Sequence, residues 1–171
     1  LDVMAGNGTI GLEILEDLPD VEAIVIPWGG GGLSCGIASA VRALKPACRI
    51  LAAEVATAAP LAAALAAGAP QAVDYQPSFV DGIGSRSVFP RMFERAQALI
   101  DGVLVANLAE VGKAIALMAE RNCIVAEGAG ACPVACALSG KAGSGRVVCV
   151  ISGGNIDVST LCAVLRGEVP V

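Results

Sequence analysis

Apolar residues in this chain fall into short unbroken runs, separated by stretches that repeat with the period of a helix. Ala23, Ile24, Val25 and Ile26 form one such run, closed by Pro27, and residues 49–54, 102–106 and 146–151 form three more. Strands buried on both faces read this way, because neither face alternates with solvent. Between the runs the spacing predicts helices over 9–17, 33–44, 60–67, 90–99, 107 to about 122, 128 to about 139, and 157–165. Pro19-Asp20 and Lys45-Pro46 close the first two, Gly68 serves as a C-cap, and Asn107 with Glu110 makes a capping box. The expected fold class is α/β, a parallel twisted sheet with helices on both faces, as a single domain over 1–171. Ligands of such sheets gather beyond the carboxyl ends of the strands. Three glycine-rich turns are expected there, at 29–32, 128–130 and 152–154, and one site collecting all three is the economical reading.

Several stretches do not fit the alternation. Residues 1–5 read as a lead-in without a partner. The G-x-G-x-x-G at 6–11 has no strand before it, so it reads as a helix start with flexible glycines rather than a ligand loop. Residues 124–127 are a short apolar piece. Residues 69–88 are irregular and contain Asp81-Gly82-Ile83-Gly84; segments of this length inside a domain usually have a functional reason. The apolar stretch 50–69 is interrupted by Glu54, Pro60 and Gly68, which makes it a strand, a turn and a short helix rather than a membrane span.

Composition adds a few exclusions. The chain is 56% hydrophobic but only 3% aromatic, so its core is packed with alanine and aliphatic side chains. A net charge of −5 and the lack of basic stripes argue against a nucleic-acid partner. Seven cysteines without C-x-x-C spacing imply reduced thiols and a cytoplasmic setting, and Cys132 with Cys136 share a helix face as small core residues. With no histidine and no tight cysteine cluster, a zinc site is not expected. No basic–apolar–small leader opens the sequence, and a soluble protein is expected.

The chemistry-bearing stretch is 21–34, VEAIVIPWGGGGLS. A strand, a glycine loop and a helix in this order aim free amides and the positive end of a helix dipole at an anion. Glycines let phosphate oxygens approach the main chain, so the loop reads as a phosphate cradle. A P-loop is excluded by the missing Lys-Ser/Thr. Gly30, Gly32 and Gly36, with Glu54 ending the next strand, imitate a dinucleotide fingerprint, which keeps an NAD-dependent oxidoreductase as one alternative. That scheme gives the turn at Ser152 no task. Trp28, beside the cradle, reads as core packing or as a specificity residue.

Gly29-Gly30-Gly31-Gly32-Leu33, followed far along by Ser152-Gly153-Gly154-Asn155, resembles the fold type II (β-family) pyridoxal-phosphate enzymes, and within them the threonine/serine dehydratase and serine racemase group. Stretches 5–9, 52–54, 81–83 and 127–130 support the resemblance, which covers essentially the whole chain. It implies a tryptophan synthase β-like fold with pyridoxal 5′-phosphate as cofactor. Backbone amides of Gly29, Gly30, Gly31, Gly32 and Leu33 would hold the phosphate, and the Ser152 hydroxyl, beside Gly153, would meet the pyridine nitrogen. A neutral serine there moderates the ring as an electron sink and suits elimination. A plain helix N-cap is the other role open to Ser152. Gly82 would pass close to the ring, and Glu127 would lie near ring and substrate as a possible catalytic group, a structural first-turn carboxylate being the other role open to it. Relatives often bind a divalent cation through a glutamate, a carbonyl four residues on and an acid two beyond; here those positions are Glu54, Ala58 and Pro60, the proline puts the metal in doubt, and a hydrogen-bonded strand-end carboxylate is the other role open to Glu54.

The resemblance also implies what this chain lacks. The Schiff-base lysine of the family sits in a Ser-Phe-Lys-like stretch ahead of the glycine loop, and Lys45, Lys113 and Lys141 have other surroundings. The expectation is therefore the cofactor-binding C-terminal half of an ammonia-lyase (dehydratase). The substrate would be a small-molecule β-hydroxy amino acid such as L-threonine or L-serine, turned into a 2-oxo acid and ammonia. The half chain is expected to be inactive alone. A homodimer without nucleic-acid or membrane partners is expected on family grounds. A non-catalytic phosphate-binding or dimerising module is the other alternative.

Overall fold

The computed structural model describes residues 2–170. In chain order the elements are α1 (Asp2–Asp17), β1 (Ala23–Pro27), α2 (Gly32–Leu44), β2 (Arg49–Val55), α3 (Pro60–Ala67), α4 (Pro90–Leu99), β3 (Gly102–Ala106), α5 (Leu108–Asn122), α6 (Gly128–Leu138), β4 (Val147–Cys149) and α7 (Val158–Leu165). The four strands form one sheet in the order β3-β2-β1-β4, every pair parallel. All five residues of β1 are buried. Successive side chains point to opposite faces. Ile24 and Ile26 enter a core built with α2, α3 and α4 and flanked by α1, while Ala23 and Val25 enter a second core built with α5, α6 and α7. Both faces are covered, as the unbroken apolar runs require.

The glycine pattern at 6–11 behaves differently from its sequence reading. Helix α1 begins at Asp2, seven residues before position 9, so the lead-in from residue 2 and the glycines all lie within the helix. Close packing is the reason. A Cβ on Gly8 would lie 3.3 Å from the Gly36 carbonyl oxygen, one on Gly11 would lie 3.0 Å from that of Ile37, and one on Gly36 would lie 2.5 Å from that of Met4. Contact between the backbones of α1 and α2 outweighs the intrinsic helix penalty of glycine, roughly 1 kcal/mol each.

The last strand is shorter than its apolar run, covering 147–149 rather than 146–151, although the Val150 amide still donates to Val25 O at 3.0 Å. Residues 124–127 form no strand, and Ile124 and Val125 are exposed. Residues 69–88 contain no helix or strand and are pinned at intervals, for example by Val73 N–H to Arg86 O and Gln76 N–H to Thr57 O, both 2.9 Å. The stretch 50–69 divides into β2, a turn and α3, and among the described residues no helix is long and apolar enough to cross a membrane. Cys132 and Cys136 are buried on α6 and all seven cysteines are free.

Candidate cofactor site

The first turn leaves the central strand. After Pro27 the chain is held by Trp28 N–H to Ala53 O at 2.9 Å, then swings through Gly29, Gly30 and Gly31 into α2. Gly31 is the N-cap of α2 with φ +83, a left-handed conformation that favours glycine. A Cβ there would also fall 2.6 Å from the Trp28 ring and 3.0 Å from Met92 Cε. Ser34, buried in the first turn of α2, donates its hydroxyl to Pro27 O at 2.9 Å and locks helix to strand. Gly30 is exposed, with nothing within 4 Å of a Cβ position, so the loop is open on that side. The opening amides of α2 have no intrahelical acceptors and carry the positive end of its dipole.

The second turn follows β4. Ser152 is exposed, and the N-cap of α7 is Asp157, which removes the helix-cap reading for the serine. Beside it lies Glu127, the N-cap of α6. Its amide donates to Gly153 O at 3.1 Å, and its Oε2 accepts the Asn155 amide at 3.2 Å.

Glycine contacts then link every turn. A Cβ on Gly29 would lie 3.3 Å from Gly82 O; on Gly82, 2.9 Å from Ala129 Cβ and 3.1 Å from Glu127 Oε1; on Gly153, 2.7 Å from Glu127 Oε1; on Gly130, 2.7 Å from Gly153 O. The cradle, the 81–84 segment, the start of α6 and the turn after β4 are thus one packed cluster around the Glu127 carboxylate. A cavity of about 610 Å³ has Leu33 of the cradle and Ser152 in one lining, with Asn7 and Ile10 of α1 and Val150 and Ile151 after β4. Behind Glu127 a smaller cavity of about 140 Å³ is lined by Asp81, Asn155, Asp157 and Thr160. The sequence flags the stretches that hold Ala129 and Asn155 but not their contacts here, because a methyl group and a backbone donor carry no residue-type signature.

The residues proposed for a metal sit elsewhere. Glu54, at the end of β2, is 1% exposed and gives both carboxylate oxygens to amides of α3, Leu61 at 2.8 Å and Ala62 at 2.9 Å. Burial pushes its carboxyl up to about 7, the two amides pulling the other way. Ala58 donates its amide to Val55 O at 3.0 Å, and Pro60 opens α3. Among the described residues no group of three or more His, Cys, Asp or Glu side chains could hold a metal ion, so the Glu54–Ala58 cation expectation finds no support. Lys45 caps the C-terminal end of α2, away from the cradle at its N-terminus, with its ammonium on Pro19 O. Lys113 lies within α5 and Lys141 follows the C-terminal end of α6.

A parallel α/β sheet with an open glycine cradle, linked through the 81–84 segment and Glu127 to a second glycine turn after the neighbouring strand, defines a class of phosphate-cofactor fold. The chain belongs to the pyridoxal-phosphate dependent enzyme family, whose description matches residues 1–153. It is 42% identical over 170 residues to an L-threonine ammonia-lyase of Geobacter sulfurreducens, a match spanning 98% of this chain and 42% of that protein. Among solved structures, maize serine racemase superposes with a TM-score of 0.85 at 31% identity, covering 95% of this chain and 53% of that one. The processed form of threonine deaminase isoform 2 from Solanum lycopersicum superposes with a TM-score of 0.87 at 31% identity, covering 96% and 49%. The chain spans about half the length of these structures and less than half of the Geobacter relative.

Proposed function

We propose that this chain is the phosphate- and ring-holding half of a pyridoxal-phosphate dependent ammonia-lyase acting on L-threonine- or L-serine-type β-hydroxy amino acids. The observation that carries the reading is the convergence of the glycine turns around Glu127, with the open side of the 29–32 loop left free. Amides of Gly29, Gly30, Gly31, Gly32 and Leu33 take the phosphate, Ser152 beside Gly153 takes the ring nitrogen, and Gly82 gives the ring clearance. Glu127 holds the Ser152 turn through the Asn155 amide and faces the ring. When bound, the cofactor supplies the electron sink that makes the α-proton acidic and lets a β-hydroxyl leave. The names of the curated relatives support the lyase class over hydride transfer. Seven free thiols support a reducing, cytoplasmic setting, and the names of the threonine ammonia-lyase relatives support a place in amino-acid metabolism. A homodimer rests on family resemblance and is tested by light scattering of the whole protein.

The three lysines of this chain lie outside the turn cluster, which favours a second reading for the chain by itself: it binds the phosphate ligand and turns nothing over. Purified, the 171 residues should bind pyridoxal phosphate competitively with inorganic phosphate and give no 2-oxobutanoate from L-threonine. The whole protein should give it. Steady product from the chain alone overturns the half-enzyme reading, and failure of both ligands to bind overturns the cradle.

A further inference from the structure

The end of β2 gives Glu54 a different partner from the one its family resemblance implies. Oε1 accepts the Leu61 amide and Oε2 the Ala62 amide, at 2.8 and 2.9 Å, so neither oxygen is idle. Those amides belong to the first turn of α3, where helix geometry leaves them without intrahelical acceptors. A carboxylate there also meets the positive end of the helix dipole. At 1% exposure the side chain is beyond competition from water.

The other two positions do not complete a cation site. Ala58 has one carbonyl to offer, and it lies on the Gly84 side of the turn, 3.8 Å from that residue's Cβ position. Pro60, the first residue of α3, has neither a carboxylate nor an N–H. Calcium takes about six to eight oxygen ligands, and magnesium demands near-octahedral geometry. One doubly engaged carboxylate, one carbonyl and a proline ring fall short of either. The turn is instead tied from the opposite face of the sheet, where the Cys132 thiol of α6 donates to Glu54 O at 3.4 Å.

We propose that the N-terminus of α3 occupies the place of a divalent cation at Glu54: two backbone amides satisfy the buried carboxylate and pin the β2–α3 turn, and the protein needs no divalent cation there. The inference is independent of the functional reading, since it concerns stability and local exchange rather than turnover.

Thermal unfolding of the protein in chelator and with magnesium, calcium or manganese tests it. The midpoint should not move. A cation bound at Glu54, present at about 100 times its dissociation constant, would raise the midpoint by roughly 5–10 °C. Such a rise, abolished in Glu54→Gln, overturns the proposal; a rise that persists in Glu54→Gln comes from another site and leaves it standing. Hydrogen exchange supplies the local readout and needs no variant to fold. Leu61 and Ala62 amides should be protected in the wild type, and exchange at unprotected rates overturns the proposal. In Glu54→Gln, where one oxygen is replaced by an NH2 group, at least one of the two amides should exchange about tenfold faster, while β1 keeps its protection.

Discussion

Glu127 Oε1 stands 2.7 Å from the point where a side chain on Gly153 would begin, and its partner oxygen holds the Asn155 amide. The carboxylate can clamp the turn only because position 153 is a glycine. Gly153→Ala should therefore push Glu127 aside and break the Asn155 contact. We expect affinity for pyridoxal phosphate to fall about tenfold or more, with little stability cost, because the atoms that give way are the free end of a flexible side chain. Spectral titration and urea melts read the two effects separately.

Gly30 makes the opposite case. A Cβ there meets nothing within 4 Å, and its φ is not positive, so Gly30→Ala should leave the unfolding midpoint essentially unchanged. The new methyl stands on the open side of the cradle, where it takes space from a phosphate. Phosphate affinity should drop about tenfold without loss of stability. Emission of Trp28, the only tryptophan, reports the titration. Equal affinity in the variant would mean the anion sits elsewhere.

Trp28 is buried, and its indole N–H is the one buried side-chain polar atom without a partner among the described residues. Such an orphan donor costs about 1–3 kcal/mol, so removing it offsets part of a lost contact. Trp28→Phe should cost less than about 2 kcal/mol, while Trp28→Ala, which also empties the floor beneath Gly31, should cost about 3–5 kcal/mol. Urea melts of the two variants check the difference.

Cys123 ends α5 with φ +55, the only non-glycine residue in the left-handed region among those described. That conformation costs a side-chain-bearing residue about 1–2 kcal/mol. Cys123→Gly should recover part of this, raising the thermal midpoint by roughly 1–4 °C, since glycine's extra freedom when unfolded returns some of the gain.

The Glu54 carboxyl, raised by burial from 4.5 to about 7, binds its proton more tightly in the fold than in the unfolded chain. Its contribution favours the fold fully below 4.5 and is lost as pH rises through 7. The shift corresponds to about 3 kcal/mol. The wild type should lose stability across this window relative to Glu54→Gln, and midpoints measured against pH in both proteins test the difference. The thiol of Cys132 bonds the Glu54 carbonyl and no charged side chain contributes to the shift, so salt should change the result little.

The four strands can be read in the sequence because a doubly buried strand leaves an unbroken apolar signature, and their parallel sense follows from the helices between, whereas the order β3-β2-β1-β4 carries no such mark. The capping box of Asn107 and Glu110 is equally legible and is present as written, with bonds of 2.8 and 2.9 Å. What escapes is close contact between backbones. Gly8 and Gly11 read as part of a flexible helix start because local propensity counts their cost, whereas the gain comes from α2, distant in sequence. A hydrogen-bonded strand-end role for Glu54 is legible, but its partners are not, since the Leu61 and Ala62 amides of α3 carry no side-chain label.

Strands β1 and β4 are hydrogen-bonded neighbours running the same way, in register from Ala23 and Val147 to Val25 and Cys149. Adjacent strands lie about 4.8 Å apart whatever connects them. The two loops that leave their ends are therefore bracketed by the lattice of the sheet, not by the long excursion of chain between them. Lengthening the exposed stretch at 71–72 should leave the two grips at the same separation.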